Sequence, residues 1–347
     1  MVKEKIIQAF AYLGKYIQNT CKFTDIIEQA NINNRWFNKN FIYTALSNIS
    51  YMLEEGALND WLKNYDINNS KPKHIGLLLP GNIPGVGLHD ILCTIASNNI
   101  AQIKLASSDK IIIPYLLEIL VTLDKSFKNR FYYVENFANI DALIATGRTE
   151  TVNYFNDCFS HIPKIIRKHM FSIGVLTGRE TREDIEMLAE DILLYYGLGC
   201  RNVSKLYVPT NYFIDNKNLF LEAIKKYESI CTANTKYMNN YTYNKGLYLL
   251  GKKAFIDNGF FTIVENKTLY LQIASLAYEE YNNIYKLENI INAQDNNLQC
   301  IATGINLANC NSKKQIYFGR CQKPEINNYA DGIDTIDFLL KLNYTAN

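Results

Sequence analysis

Histidine is scarce in this chain of 347 residues, which has only His74, His89, His161 and His169. The eight cysteines (Cys21, Cys93, Cys158, Cys200, Cys231, Cys300, Cys310 and Cys321) include no C-x-x-C pair. Zinc sites need close Cys or His ligand pairs, so no metal site is expected. An unpatterned cysteine set in so long a chain also argues against a disulfide framework and for a reducing compartment. No run of about 18 uncharged apolar residues occurs, so no membrane span is expected. Neither sign of charge dominates: 36 Lys and Arg against 34 Asp and Glu give a net +2, with no long basic run. That balance gives nucleic-acid binding little support. Met1-Val2-Lys3-Glu4-Lys5 leads into an amphipathic pattern and not a signal peptide. A soluble, cytoplasmic protein is the expectation.

What is present is ordinary globular composition, 48% hydrophobic and 20% charged, with a length that implies roughly two domains. The 25 tyrosines are spread along the chain and point to no function. Residues 1 to about 70 read as helices. Ile6, Ile7, Phe10, Leu13 and Ile17 recur at helical spacing. A second segment starts at Asn34-Arg35-Trp36-Phe37, and a third runs from Phe41 to Leu53 and closes at Gly56. Trp36 and Trp61 read as packing anchors.

Beyond a polar linker, 68–73, the chain alternates strands and helices. His74 to Leu79 is a near-continuous apolar run, as a strand covered on both faces would be. Pro80-Gly81-Asn82-Ile83-Pro84-Gly85-Val86-Gly87 follows, then a helix over Leu88 to Ser97. This strand, glycine-rich loop and helix has two readings: an anion site at a helix N-terminus, or a plain tight turn. It is neither G-x-G-x-x-G nor a P-loop. Further strands are expected at Ala101–Leu105, Phe131–Val134 and Ala142–Ala145, with a helix over Tyr115–Leu123. Residues 151–170 read as a helix and a basic, solvated connection containing Lys164, Arg167, Lys168 and His169. A new unit opens with a strand at Ser172–Leu176. Thr181 and Asp184 then propose a capping box for a helix over Glu183–Tyr195. Strands at Phe261–Asn266 and Leu298–Ala302 and a last helix over Thr335–Leu342 complete the reading. Such alternation implies parallel strands joined by right-handed crossovers. Asn82, Lys104, Ser107 and Thr146 all fall just past strand C-termini, the edge where open α/β sheets bind ligands.

One stretch organises the rest: Tyr195-Tyr196-Gly197-Leu198-Gly199-Cys200-Arg201-Asn202, followed by a strand from Val203 to Val208. A thiol is nucleophilic as thiolate, which requires an electropositive, partly exposed setting. The glycines let backbone or ligand pass close to the sulfur, and Arg201 brings positive charge. The alternative is a buried helix-end cysteine acting as a small hydrophobe.

The order of these features resembles the aldehyde dehydrogenase superfamily: Leu79-Pro80-Gly81-Asn82-Ile83-Pro84, Lys104, Ala145-Thr146-Gly147-Arg148-Thr149-Glu150, Gly199-Cys200, then Glu265. Within it, Tyr196-Gly197-Leu198-Gly199-Cys200-Arg201-Asn202-Val203 and Asp331-Gly332-Ile333-Asp334-Thr335 look like the long-chain acyl-CoA reductase family of the LuxC type. The resemblance covers about residues 5–342. It implies an α/β fold of two Rossmann-type parallel-sheet domains behind an N-terminal helical segment. Residues 1–170 would hold the helices and a cofactor domain, 171–320 a catalytic domain, and 321–347 a tail. Cys200 matches the nucleophile and Asn82 the oxyanion-hole amide. Pro80 and Gly81 match the nicotinamide side of the cleft, and Lys104 the lysine on the adenosine ribose. Thr146, Gly147 and Arg148 match the turn against the pyrophosphate, and Glu265 the glutamate on the nicotinamide ribose. The superfamily's dimers and tetramers, built through a projecting strand, imply a homo-oligomer.

Two departures from that pattern bear on function. NAD-preferring relatives often carry a glutamate three positions past the matching lysine, where this chain has Ser107. Without that carboxylate a 2′-phosphate is not repelled, so NADPH is the expected cofactor. Aldehyde oxidisers place a water-activating glutamate upstream of the cysteine, at a spacing that brackets residues 166–170 here. Ile166, Arg167, Lys168, His169 and Met170 include no carboxylate. Reduction of an acyl-CoA (or acyl-protein) thioester to an aldehyde, through an S-acyl cysteine, is therefore expected. The alternatives are NAD(P)-dependent aldehyde oxidation and a redox-silent cysteine acyltransferase or thioesterase.

Overall fold

The structure is a computed structural model that describes residues 3–67, 71–147, 149–269 and 272–342. Part of the expected linker (68–70) and Arg148 lie outside the described residues. The chain divides into two compact units: Met1–His169 with Pro324–Asn347, and Met170–Lys323. The stretch expected to be a separate tail is thus shared between the two units.

The first unit opens with α1 (Lys3–Gln18), α2 (Thr24–Asn33), α3 (Lys39–Met52) and α4 (Glu55–Leu62). The second helix lies earlier than expected. Asn34 ends it, and Trp36 sits in the connection to α3. Gly56 stops nothing, standing inside α4. Trp61 does act as an anchor: it is buried, and its indole N–H donates to the Tyr329 hydroxyl at 2.7 Å.

A sheet follows, built from β1 (His74–Leu78), β2 (Ile100–Lys104), β3 (Phe131–Tyr133), β4 (Ala142–Thr146) and β5 (Lys164–Arg167). Its order is β3-β2-β1-β4-β5 with every pairing parallel. Helices α5 (Leu88–Ala96), α6 (Ile112–Leu123) and α7 (Thr149–Cys158) alternate with these strands. Ile75, Gly76 and Leu77, Ala101, Gln102 and Ile103, and Ala142, Leu143 and Ile144 are buried in succession, as strands covered on both faces require. Full burial of such a branched side chain stabilises the fold by about 1.5–3 kcal/mol.

β5 corrects the expectation of a solvated basic connection over these residues. Arg167 is buried because its Nη1 meets the Asp90 carboxylate of α5 at 2.7 Å and its Nη2 donates to Thr335 Oγ1 at 2.9 Å. A charge taken from water survives when a counter-charge is built opposite it.

The second unit holds β6 (Phe171–Val175), α8 (Arg182–Leu193), β7 (Val203–Pro209), α9 (Tyr212–Asp215), α10 (Lys217–Lys225), α11 (Glu228–Thr232) and α12 (Thr235–Leu250). It continues with β8 (Phe255–Asp257), β9 (Thr262–Glu265), β10 (Ser275–Tyr281), α13 (Ile284–Ala293), β11 (Leu298–Thr303) and β12 (Gln315–Ile316). The sheet order is β12-β11-β6-β7-β10-β9-β8, parallel except between β8 and β9. The capping box at α8 is formed, Thr181 and Asp184 each accepting from the other's backbone N–H.

The chain then returns to the first unit with α14 (Thr335–Lys341). Among the described residues every strand belongs to one of the two sheets, so the projecting strand implied by the resemblance is not among them. No described helix is long and apolar enough to cross a membrane.

Candidate active site

Strand order places the first group of residues. β1 pairs with β2 on one side and β4 on the other, so the sheet reverses direction of growth between β1 and β4. That reversal is the topological switch point at which doubly wound sheets bind ligands. The register sets Lys104, Leu78 and Ala145 side by side at the C-terminal edge. Pro80, Gly81 and Asn82 therefore leave the sheet between Lys104 on one side and Thr146 and Gly147 on the other. Asn82 and Ser107 are exposed, and Pro80, Gly81, Lys104, Thr146 and Gly147 are half-buried. No described carboxylate forms an ion pair with Lys104.

Of the two readings of the glycine-rich loop, the geometry supports the turn. The N–H groups of its second half are engaged within the protein. Gly85 donates to the Asp109 carboxylate at 2.8 Å, and Val86 and Leu88 donate to carbonyls within the loop. Asp109 is buried, and burial pushes its carboxyl up to about 6 against the pull of the Gly85, Ile112 and Ile113 N–H groups. Gly81 is required for a different reason. A Cβ there would lie 2.1 Å from Ser108 Oγ and 2.5 Å from Ala106 Cβ. Ser108 uses that closeness to donate to the Gly81 carbonyl at 2.7 Å, while Asn34 donates to the Ser108 carbonyl at 3.2 Å. The loops after β1 and β2 are thus tied together.

Cys200 stands in the second unit, in a turn between α8 and β7. The helix ends at Leu193, two residues earlier than expected, and a short 3₁₀ turn over Leu194–Gly197 follows. Tyr195, Tyr196 and Gly197 have φ of 55°, 59° and 73° in succession. Two tyrosines in the left-handed region carry strain of order 1–3 kcal/mol each. The burial of both rings, that of Tyr196 packed at 5.6 Å on Tyr237, holds them there. Cys200 itself is half-buried and lies beyond the helix end, so it is not a buried helix-end cysteine.

Asn202 locks this turn. Its Oδ1 accepts from Gly199 N–H at 2.8 Å, and its Nδ2 donates to the carbonyls of Asp191 at 3.0 Å and Leu194 at 2.9 Å. Its own N–H donates to the Gly199 carbonyl at 3.0 Å. From β6, Ser172 Oγ donates to the Cys200 carbonyl at 2.8 Å. Arg201 directs Nη1 at the Cys300 sulfur, 3.4 Å away, which is not the role its sequence position implied. Asn202, Ser172 and Cys300 were missed by sequence reasoning, since partners spread over β6, β11 and the turn leave no local pattern.

Glu265 ends β9 and is exposed. The parallel register sets it level with Tyr278 of β10, which is itself level with Leu206 of β7. From Val203, where the Cys200 turn enters β7, Glu265 is about 10 Å along the strand direction and two strand spacings of about 4.8 Å across. The sheet does not bring Glu265 to Cys200.

Two parallel-sheet units, one with a doubly wound switch point and one with a clamped cysteine turn, define a protein of the aldehyde dehydrogenase fold. Solved structures agree in fold. Aldehyde dehydrogenase 21 from Physcomitrella patens, in complex with the reaction product succinate, is 12% identical, with a TM-score of 0.70 over 99% of this chain and 84% of that one. A putative aldehyde dehydrogenase from Burkholderia cenocepacia is 11% identical, at 0.66 over 96% and 81%. The aldehyde dehydrogenase KauB from Pseudomonas aeruginosa is 13% identical, at 0.66 over 89% and 73%. No curated protein matches the sequence. The family of acyl-CoA reductases (LuxC) matches residues 11–241. The chain belongs to that family, and it is an oxidoreductase acting on aldehyde or acyl groups.

Proposed function

We propose that this protein reduces a long-chain acyl-CoA thioester to the aldehyde with NADPH, the acyl group passing through Cys200. The observation that carries the proposal is the Cys200 turn, a half-buried cysteine whose carbonyl and neighbouring peptide groups are fixed by Ser172 and Asn202. The lack of a carboxylate at 166–170 supports reduction over oxidation. Arg167 in that bracket is committed to Asp90 and Thr335.

The donor set in the first unit fits a nicotinamide dinucleotide. Lys104 and Ser107 would hold the adenosine ribose and its 2′-phosphate. Thr146 and Gly147, with Arg148, would hold the pyrophosphate, and Pro80 and Gly81 would border the nicotinamide. NADPH is favoured over NADH because Ser107 brings no carboxylate and the nearby Asp109 is turned inward on Gly85. When bound, NADPH supplies the hydride that converts the S-acyl carbon to the aldehyde.

The chain's own residues do the rest. The Cys200 sulfur bonds to the thioester carbon, the bond from that carbon to the CoA sulfur breaks, and CoA leaves with a proton. Covalent capture divides one hard step into two. Negative charge on the carbonyl oxygen would be met by the Cys200 N–H, and the family resemblance assigns the amide donor to Asn82, one such donor being worth about 3–4 kcal/mol. Collapse to aldehyde returns the Cys200 thiolate.

The test follows reduced-nicotinamide absorbance with a long-chain acyl-CoA, NADPH against NADH, in wild type and Cys200→Ala. Consumption with matching aldehyde, faster with NADPH and abolished in Cys200→Ala while nucleotide binding persists, is expected. CoA release without nucleotide consumption would overturn the reading in favour of acyl transfer or hydrolysis. Reduction by Cys200→Ala would remove the nucleophile.

A further inference from the structure

The Cys200 turn rests on a second cysteine. Cys300 lies in β11, opposite Ser172 of β6, which is in turn opposite Val203 of β7. One row across three strands therefore carries Cys300, the serine that donates to the Cys200 carbonyl, and the residue at which the turn becomes strand. Cys300 is 0% exposed. Arg201, the next residue after Cys200, directs Nη1 at its sulfur from 3.4 Å.

Cys321, equally buried, is the thiol that interacts most strongly with that sulfur. Behind Cys321 stands the Asp191 carboxylate, which accepts the Cys321 and Gly319 N–H groups at 3.1 and 2.6 Å. Burial alone keeps a thiol protonated. Here the interaction with Cys321 outweighs it, helped by the Arg201 charge, and the Cys300 thiol is held below the usual thiol range. Cys321 is pushed up in return. A guanidinium thus faces a buried sulfur at 3.4 Å, and contacts in which one partner is charged are about twice as strong as neutral ones.

We propose that Arg201 and Cys300 are a positioning pair that holds the Cys200 turn against the sheet and so sets the orientation of the nucleophile. The inference rests on the reading of Cys200 as nucleophile. It gives Arg201 a task other than lending its charge to Cys200: the side chain reaches past β6 to β11 and tethers the backbone from which the thiol projects. Asn202 and Ser172 fix the turn through peptide groups, and the pair fixes it through a side chain, at the residue next to the sulfur.

The test is a double-mutant cycle on the full chain: wild type, Cys300→Ser, Arg201→Gln and the double variant. The readout is the rate at which iodoacetamide alkylates Cys200, followed by peptide mass mapping, beside kcat and KM for thioester reduction. Serine keeps the size of Cys300 but is neutral. Loss of one charge-assisted contact predicts roughly tenfold slower alkylation and lower kcat in each single variant, with KM for the nucleotide unchanged. The double variant should be no slower than the worse single, as expected of groups that act as a unit. Wild-type labelling in Cys300→Ser, or losses that multiply in the double variant, would overturn the proposal.

Should Cys300→Ser not fold, Arg201→Lys decides. It keeps the charge and one donor, so alkylation within about threefold of wild type is expected, against about tenfold slower in Arg201→Gln. Equal rates in the two sink the pair. Alkylation is read without turnover, so it separates the two ideas: complete labelling of Cys200 that leaves reduction intact would remove the nucleophile reading, while the cycle still reports on the pair.

Discussion

The loop after β1 and the turn before β7 both hold an unusual backbone in place, and they do it by different means. In the first the load is shared between loops: Ser108 carries the Gly81 carbonyl, Asp109 the Gly85 N–H, and Asn34 the Ser108 carbonyl. In the second most of the load falls on one side chain: Asn202 serves Gly199, Asp191 and Leu194 at once, with Ser172 on the Cys200 carbonyl beside it, over a backbone already strained at Tyr195 and Tyr196. Where the load is shared, losing one partner frees one group, whereas losing Asn202 frees three at once. That contrast ranks the following substitutions.

Asn202→Ala should have the largest effect. It leaves one N–H and two carbonyls in a buried turn without their partner, at about 1–3 kcal/mol each. A loss of about 3 kcal/mol or more in urea unfolding is expected, with slower alkylation of Cys200. A loss below about 1 kcal/mol would mean the turn is held elsewhere. Gly81→Ala tests the other side. The added methyl overlaps Ser108 and Ala106, and overpacking of this kind costs typically about 1–3 kcal/mol. Nucleotide affinity should fall about tenfold while Cys200 alkylation is unchanged; unchanged affinity would show that the two loops separate easily.

Asp191→Asn gives the smallest and most specific effect. Burial raises the Asp191 carboxyl from 3.8 to about 7, against the hydrogen bonds from Gly319 and Cys321. The fold therefore holds the proton more tightly than the unfolded chain does. Its stabilising contribution is full below 3.8 and is lost as pH rises through about 7. Asparagine does not titrate, so the thermal-stability advantage of wild type over Asp191→Asn should shrink across that interval. A constant difference would show that Asp191 stays ionised throughout.

How far the sequence disclosed this architecture depended on whether the signal was local. β1, β2 and β4 are apolar runs with turn residues at their exits, and they were legible to within about a residue. β5 was not, because Lys164 and Arg167 read as solvated until Asp90, in a distant helix, is seen opposite Arg167. β10 was missed for a similar reason: its Glu279 is partnered by Lys205 of β7 at 2.6 Å, and Lys205 is itself fully buried. The turn that carries Cys200 was readable from the glycines around it and from the family pattern. The Asn202 bonds hang on the exact path of the turn, and Ser172 and the Arg201–Cys300 contact depend on strand register. Cys300 was one of eight unpatterned cysteines until β11 was aligned with β6.

The route of the chain has a consequence for its synthesis. The first unit is left at His169 and completed only by residues from Pro324 onward. Those residues bring Tyr329 to Trp61 and Tyr65, Asp334 to Tyr65 at 2.6 Å, Thr335 to Arg167, and the Ile326 carbonyl to His89 at 2.7 Å. A ribosome adding roughly 5–20 residues per second needs on the order of ten seconds to make the intervening unit. During that interval Arg167 has Asp90 but not Thr335, and the Trp61 indole lacks its acceptor. The half that emerges first is therefore the half that finishes last, and nascent chains arrested before Pro324 should expose it to chaperones and proteases while the later-made unit is already closed.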